Sequence, residues 1–209
     1  MSLSADTRFM SAAIALARGQ LGRTRPNPAV GCVLVKAGRV IATGQTADQG
    51  RPHAERVALD RAERQAEGAH AYVTLEPCAH HGQTPPCAEA LVEARVERVI
   101  IACQDEDPRV MGRGVEILRS AGIEVETGVL QHLAEPLYSG FFHRIRTGQP
   151  QIIKSLPRPG FDADLPVLDA HELEGSLDTL GAAGAARIRL DPKHPLADAL
   201  IRTGRAVSL

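Results

Sequence analysis

The chain of 209 residues has no tryptophan, two tyrosines and four phenylalanines, so aromatic side chains make up only 3% of it. Its core must therefore come from Ala, Val, Ile and Leu. A surface for stacking the bases of a single-stranded nucleic acid, which needs exposed aromatics, is not expected. An excess of one charge is lacking too: 24 Lys and Arg stand against 25 Asp and Glu, a formal net charge of -1. That balance argues against broad electrostatic attraction to nucleic acid or to an anionic membrane. No apolar run approaches the ~20 residues of a membrane-spanning helix; the stretch AAIALA at 12–17 is far shorter. The N-terminus shows no basic stretch followed by an apolar one, so no secretory leader is expected. Four cysteines are far below the density of a disulfide scaffold. They point to a reduced, cytoplasmic chain in which cysteine binds metal or packs in the core.

What remains is an ordinary globular composition, 44% hydrophobic and 23% charged, with length for one domain and a fragment. Residues 7–18 carry Phe9, Ala13, Leu16 and Ala17 at helical spacing, with Asp6 as N-cap. RTRPNP (23–28) is a loop, because its two prolines cannot sit inside a helix. Residues 29–44 hold two apolar runs around Ala37-Gly38 and predict a β-hairpin. Helices are expected over 53–66, 87–95, 112–121 and 130–146, the last with Leu133, Leu137 and Phe141 four apart. Strands are expected over 71–77, 97–105 and 123–130. This order predicts a mixed sheet between helical layers. The texture changes near residue 148. The remaining stretch is rich in Pro, Gly and Ala, is weakly apolar, and contains one strand-like piece at 186–191. It lies near the lower size limit for an independent core.

One constellation carries chemistry. His53-Ala54-Glu55 opens a helix, Pro77-Cys78 ends a strand, and Cys87 opens the next helix. One imidazole and two thiolates suit Zn2+ and leave a fourth position open. Helix N-termini favour thiolate over thiol. Bound Zn2+ lowers the pKa of water to roughly 7, and Glu55 is placed to take and deliver its proton. Zinc deaminases use H-x-E followed by P-C-x-x-C, with the Glu catalytic rather than a ligand. Here eight residues, not two, separate the cysteines. H-x-E alone is weak; joined in order to both cysteines, it outweighs a chance meeting of buried cysteines with a surface histidine.

The eight-residue spacer is the specific feature. TLEPCAHHGQTPPCAEAL (74–91) closely resembles the deaminase part of the bifunctional riboflavin-biosynthesis deaminase–reductases, as do RPNPAVGCVLV (25–35), PHAE (52–55), 104–125 and 140–150. The likeness covers about residues 7–150. It implies an α/β, three-layer α/β/α cytidine-deaminase-like fold and hydrolytic removal of an amino group from a phosphoribosylaminopyrimidine, releasing ammonia. The family's metal ligands fall on His53, Cys78 and Cys87, and its proton shuttle on Glu55. Its substrate contacts fall on Asn27, Ala54, His80 and Asp105, and on three positions that depart from its pattern. Thr46 stands where His is usual, Gln83 where Lys or Arg is usual, and Asp107 where Asn is usual. Each departure makes the site less welcoming to a phosphate dianion. Either Arg23, Arg25, Arg109 or Arg113 holds the phosphate, or the substrate differs. The resemblance also implies a homo-oligomer, dimer or larger, with a small-molecule pyrimidine as ligand and no membrane or nucleic-acid partner.

The segments 149–156 and 186–207 resemble pieces of the family's reductase, but the S-L-D-G expected after its first strand is absent: Pro157 follows Ser155-Leu156. Residues 1–148 are therefore read as the deaminase domain, and 149–209 as a truncated, dihydrofolate-reductase-like tail without redox activity. Two other functions stay open: a divergent deaminase of another base or nucleoside, and a non-catalytic zinc-holding assembly protein. Cys32 and Cys103 are expected in the core. Glu76 is expected to brace its loop, and His70, His132, His143, His171 and His194 to lie at the surface.

Overall fold

A computed structural model describes residues 4–82 and 84–209. Helix α1 spans Ala5–Gly19. Its N-cap is Ser4, whose hydroxyl accepts the Thr7 N–H at 3.2 Å, and not Asp6 as the sequence suggested. Asp6 lies in the first turn, where it accepts from the Tyr72 hydroxyl at 2.6 Å and pairs with Arg98 at 3.1 Å. The Tyr72 bond, with Arg98 adding to it, holds the Asp6 carboxyl below the usual range.

The hairpin forms as expected. Strand β1 (Gly31–Lys36) turns through Ala37-Gly38 into β2 (Arg39–Gln45). Both turn residues have positive φ, +49° and +73°, as the tight turns that match strand twist require. Strand β3 (His70–Leu75) pairs antiparallel with β1 and parallel with β4 (Arg98–Cys103), which pairs parallel with β5 (Glu124–Thr127). The sheet order is β2-β1-β3-β4-β5. Val99, Ile100 and Ile101 are fully buried, in keeping with a parallel strand covered on both faces. Helices α1 and α5 (Gln131–Thr147) pack on one side. Helix α2 (Ala54–Ala62) packs on β1 and β2, α3 (Cys87–Glu93) on α2, and α4 (Arg113–Ser120) on α3 and β5, making the other layer. The fold is thus α/β with a mixed five-stranded sheet between helices.

Small residues let the helices come close. A Cβ on Gly31 would meet the Ala13 carbonyl of α1, and one on Gly44 the Ala54 carbonyl and Ala58 nitrogen of α2. The helix expected over 53–66 is shorter: at Glu63 φ turns to +48° and a 3-10 turn, Glu63–Ala66, follows. On α5 the buried face is Ala134, Leu137, Tyr138 and Phe142; Leu133, expected in the stripe, is 43% exposed.

Residues beyond α5 form a second, all-parallel sheet of β6 (Gln151–Lys154), β7 (Ala163–Asp164), β8 (Arg187–Leu190) and β9 (Ala206–Ser208), in the order β7-β8-β6-β9. Helices α6 (Leu173–Ala182) and α7 (Ala197–Arg202) help bury a separate core that includes Ile152, Leu177, Ile188 and Leu190. His194 is not at the surface: it is 6% exposed, with Nε2 2.9 Å from the Pro166 carbonyl and Nδ1 accepting the Leu196 N–H. This second layer lies against α5 and the loop before β1. Ser139 donates to Gln151 at 3.0 Å, Pro26 sits against Gly184, and Gly22 lies on the Phe161 backbone.

Because α2 rests on Gly44 without room for a methyl group, Gly44→Ala is expected to destabilise the protein by about 1–3 kcal/mol through overpacking. Urea unfolding measures this. An unchanged midpoint would mean that α2 shifts without cost.

Candidate active site

Three segments bring ligand atoms together. His53 is the N-cap of α2, and its side chain makes no capping bond, which leaves the ring free. Cys87 is the first residue of α3, after Pro85-Pro86. Cys78 lies just beyond β3 and serves α3 as a cap. Its sulfur accepts the Cys87 N–H at 3.2 Å, and its carbonyl accepts the Ala88 N–H at 3.2 Å. These bonds satisfy two of the N–H groups a helix start leaves free and fix the two sulfurs together. Nδ1 of His53 lies 3.7 Å from the Cys78 sulfur and 3.4 Å from the Cys87 sulfur. All three donor atoms fall within 4.8 Å of one another.

These separations fit zinc. Tetrahedral bonds of the usual Zn–N and Zn–S lengths put nitrogen and sulfur roughly 3.6 Å apart. The donor electrostatics fit as well. The Cys78 thiol is drawn down to about 4, chiefly by the hydrogen bond from the Cys87 thiol and then by His53 and the Cys87 N–H. The Cys87 thiol is pushed up, first by that shared bond and then by burial. The two sulfurs thus share one proton between them, and the pair carries a thiolate.

Glu55 sits two residues after His53 in the first turn of α2, only 3% exposed. Burial raises its carboxyl to about 7, against the opposing pull of His53. A group poised there exchanges protons readily at neutral pH. It lines a cavity of about 250 Å³ together with His53, Cys78 and most of the expected contact residues.

Asn27, Thr46, His80, Asp105 and Asp107 all line this cavity; Ala54 does not, being fully buried at the start of α2. Gln83 lies outside the described residues. The Asn27 amide donates to the Gly50 carbonyl at 2.8 Å and lies 3.4 Å from Nε2 of His53. Thr46 is 1% exposed, and its hydroxyl is engaged by backbone: it accepts the Val30 N–H at 2.9 Å and donates to the Pro28 carbonyl at 3.1 Å. His80 has a buried Nδ1 without a partner among the described residues. Asp107 takes a two-pronged bond from Arg109, which holds its carboxyl below the usual range. The carboxylate that replaces the usual Asn therefore carries its own counter-ion. Glu76 braces the floor, as expected: its carboxylate accepts the N–H groups of Asp105, Gly112, Gly114 and Val115, tying the end of β3 to the start of α4.

The arginines fall differently from expectation. Arg23, Arg25 and Arg113 do not line the cavity, and Arg23 pairs with Asp48 at 2.7 Å on the surface. Arg109, the fourth candidate, does line it, together with Arg51 and Arg144. The sequence carried a signal for each: Arg51 precedes His53 by two residues, and Arg144 follows Phe141 by one helical turn.

The chain matches the family described as "Cytidine and deoxycytidylate deaminase zinc-binding region" over residues 3–103. It is 52% identical over 147 residues to the riboflavin biosynthesis protein RibD of Haemophilus influenzae, a match covering 70% of this chain and 40% of that protein. It is 42% identical over 145 residues to the diaminohydroxyphosphoribosylamino-pyrimidine deaminase of Buchnera aphidicola, covering 69% of this chain and 99% of that protein. A Thermotoga maritima structure titled diaminohydroxyphosphoribosylaminopyrimidine deaminase/5-amino-6-(5-phosphoribosylamino)uracil reductase superposes with a TM-score of 0.83 at 26% identity. That match covers 95% of this chain and 84% of the other. The chain spans about 40% of the length of the first curated relatives it matches.

Burial raises the Asp105 carboxyl from 3.8 to about 6. A raised folded-state pKa contributes stability that is fully present below about pH 4 and lost as pH rises through about 6. Asp105→Asn keeps an acceptor for the Asp107 N–H and removes that loss. Its stability relative to wild type, from urea melts of the metal-free protein, is expected to be higher at about pH 7.5 than at about pH 4.5. An equal difference at both pH values would contradict the shift.

Proposed function

Because the chain belongs to the riboflavin-biosynthesis deaminases, a branch of the zinc-binding cytidine and deoxycytidylate deaminases, we propose that it hydrolyses the exocyclic amino group of an aminopyrimidine. The substrate is diaminohydroxyphosphoribosylaminopyrimidine, and the reaction releases ammonia. The observation that carries this reading is the pairing of a zinc-compatible donor set with a buried carboxylate, Glu55, that is not one of the donors. A site meant only to hold metal has no need of that carboxylate, which speaks against a purely structural zinc protein.

In this mechanism His53, Cys78 and Cys87 would hold the zinc. When bound, zinc acts as a Lewis acid that brings the pKa of water toward neutrality. Glu55 takes a proton from the attacking water and passes it to the ring nitrogen beside the amino-bearing carbon. The carbon–oxygen bond forms in that first step; Glu55 then takes the remaining proton from the new hydroxyl and hands it to the amine, so that the carbon–nitrogen bond breaks, ammonia leaves and a carbonyl remains. The cavity walls keep bulk water away while Asn27 and His80 orient the base. Asp105, anchored through Glu76 and the Asp107 N–H, faces the same space.

Residues 1–148 form the deaminase unit in this reading. The segment 149–209 is a reductase-like layer that supports α5. The protein acts on a small molecule rather than on nucleic acid, in the cytoplasm, as a homodimer or larger assembly. A second reading, deamination of a related pyrimidine base or nucleoside, draws support from Thr46 and Gln83 standing where cationic groups are usual.

Glu55→Gln is expected to retain zinc at wild-type stoichiometry and to lose about 10²–10⁴-fold in turnover, the usual worth of a positioned acid–base group. Metal analysis alongside ammonia release measures both. Normal turnover by the variant would overturn the mechanism. Ammonia release from other pyrimidines but not from the riboflavin precursor would favour the second reading.

A further inference from the structure

Three arginines line the cavity, and only one of them is matched by a carboxylate. Arg109 is bound to Asp107. Among the described residues, neither Arg51 nor Arg144 forms an ion pair. Arg144 enters from α5. One end of its guanidinium donates to the Pro26 carbonyl at 2.8 Å, and its central carbon lies 5.6 Å from the centre of the Phe141 ring. Its Nε is buried and has no hydrogen-bond partner. Arg51 leaves the loop before α2, and one of its nitrogens donates to the Thr84 hydroxyl at 3.0 Å.

The cavity's carboxylates do not offset these cations. Glu76 is filled by four backbone N–H groups, Asp107 by Arg109, Glu55 belongs to the proton-transfer centre, and Asp105 accepts the Asp107 N–H at 2.9 Å and forms no ion pair with either arginine among the described residues. A desolvated donor left unpaired is costly, and two unmatched guanidinium groups facing one cavity favour an anion within it. A second buried nitrogen without a partner among the described residues, Nδ1, belongs to His80, which lines the same cavity. The planar donor forks of arginine match the oxygens of a phosphate.

We propose that Arg144, assisted by Arg51, forms the anion subsite of this cavity and binds the terminal phosphate of the substrate. The inference rests on the deaminase reading above and makes it more specific. Positive charge missing at positions 46 and 83 is supplied from the loop before α2 and from α5. The chain then keeps a phosphorylated substrate despite its departures from the family pattern.

The test uses the zinc-loaded full chain and two readouts. In calorimetric titration, wild type binds ribose 5-phosphate but not ribose. Arg144→Ala weakens that binding roughly 10–100-fold and Arg51→Ala weakens it less, as expected for loss of charge-assisted hydrogen bonds. In steady-state assays Arg144→Ala raises KM for the phosphorylated aminopyrimidine by about the same factor. Activity on the dephosphorylated form falls much less than activity on the phosphorylated form. Because Arg144 also ties down Pro26, Arg144→Lys and Arg144→Gln are measured beside it; Lys keeps the charge and is expected to fall between wild type and Gln. Equal losses on both substrates, or failure of wild type to bind ribose 5-phosphate, would overturn the subsite. Binding of ribose 5-phosphate that depends on Arg144, without ammonia release from any pyrimidine, would uphold the subsite and overturn the deaminase reading.

Discussion

His53, Cys78 and Cys87 come from two helix starts and one strand end, yet their donor atoms must lie close enough to share a single ion. Most of the surrounding structure serves that requirement. The sulfur and carbonyl of Cys78 take up the free N–H groups at the start of α3, so helix capping and ligand placement are one interaction. Gly44 lets α2 rest directly on the hairpin at Ala54, the residue between His53 and Glu55. Glu76 fastens the end of β3 to the start of α4 through four backbone N–H groups. A carboxylate at that place favours the positive end of the helix and fixes the loop that carries Asp105 and Asp107.

The charges around the cavity are matched locally, and the matching explains how the chain tolerates its unusual residues. A carboxylate at position 107 adds negative charge to the cavity, but Arg109, two residues on, binds it with two of its nitrogens. Thr46 contributes no charge. Its hydroxyl and carbonyl instead tie the loop before β1 to the end of β2 and to Gln20. Substitution at the rim has thus been absorbed by backbone ties and neighbouring charges, while the donor set keeps its geometry.

Much of the first sheet and its centre was legible in the sequence, because the signals there are local. Apolar runs gave β1, β3 and β4, the Ala37-Gly38 pair gave the hairpin, and H-x-E with the two cysteines gave the donor set. What escaped depended on tertiary context. Ser4 takes the cap because Asp6 is drawn away by Tyr72 and Arg98. Helix α6 was hidden by its glycines, although Leu173 and Leu177 already stood one turn apart. His194 is buried because a carbonyl and an amide from its own layer satisfy both ring nitrogens. Arg51 and Arg144, unlike Arg109, were overlooked, since their lining of the cavity brings together the loop before α2 and helix α5, far apart in sequence.

The loop carrying Asn27 is held from two directions. Arg144 grips the Pro26 carbonyl from α5, while Gly184 and the Phe161 backbone close on Pro26 and Gly22 from the second sheet. One wall of the cavity is therefore shared property of both layers, much as a keystone leans on two halves of an arch. Trimming the chain after α5 would unseat that wall, and grafting the first layer alone onto another scaffold would require a substitute abutment for Pro26.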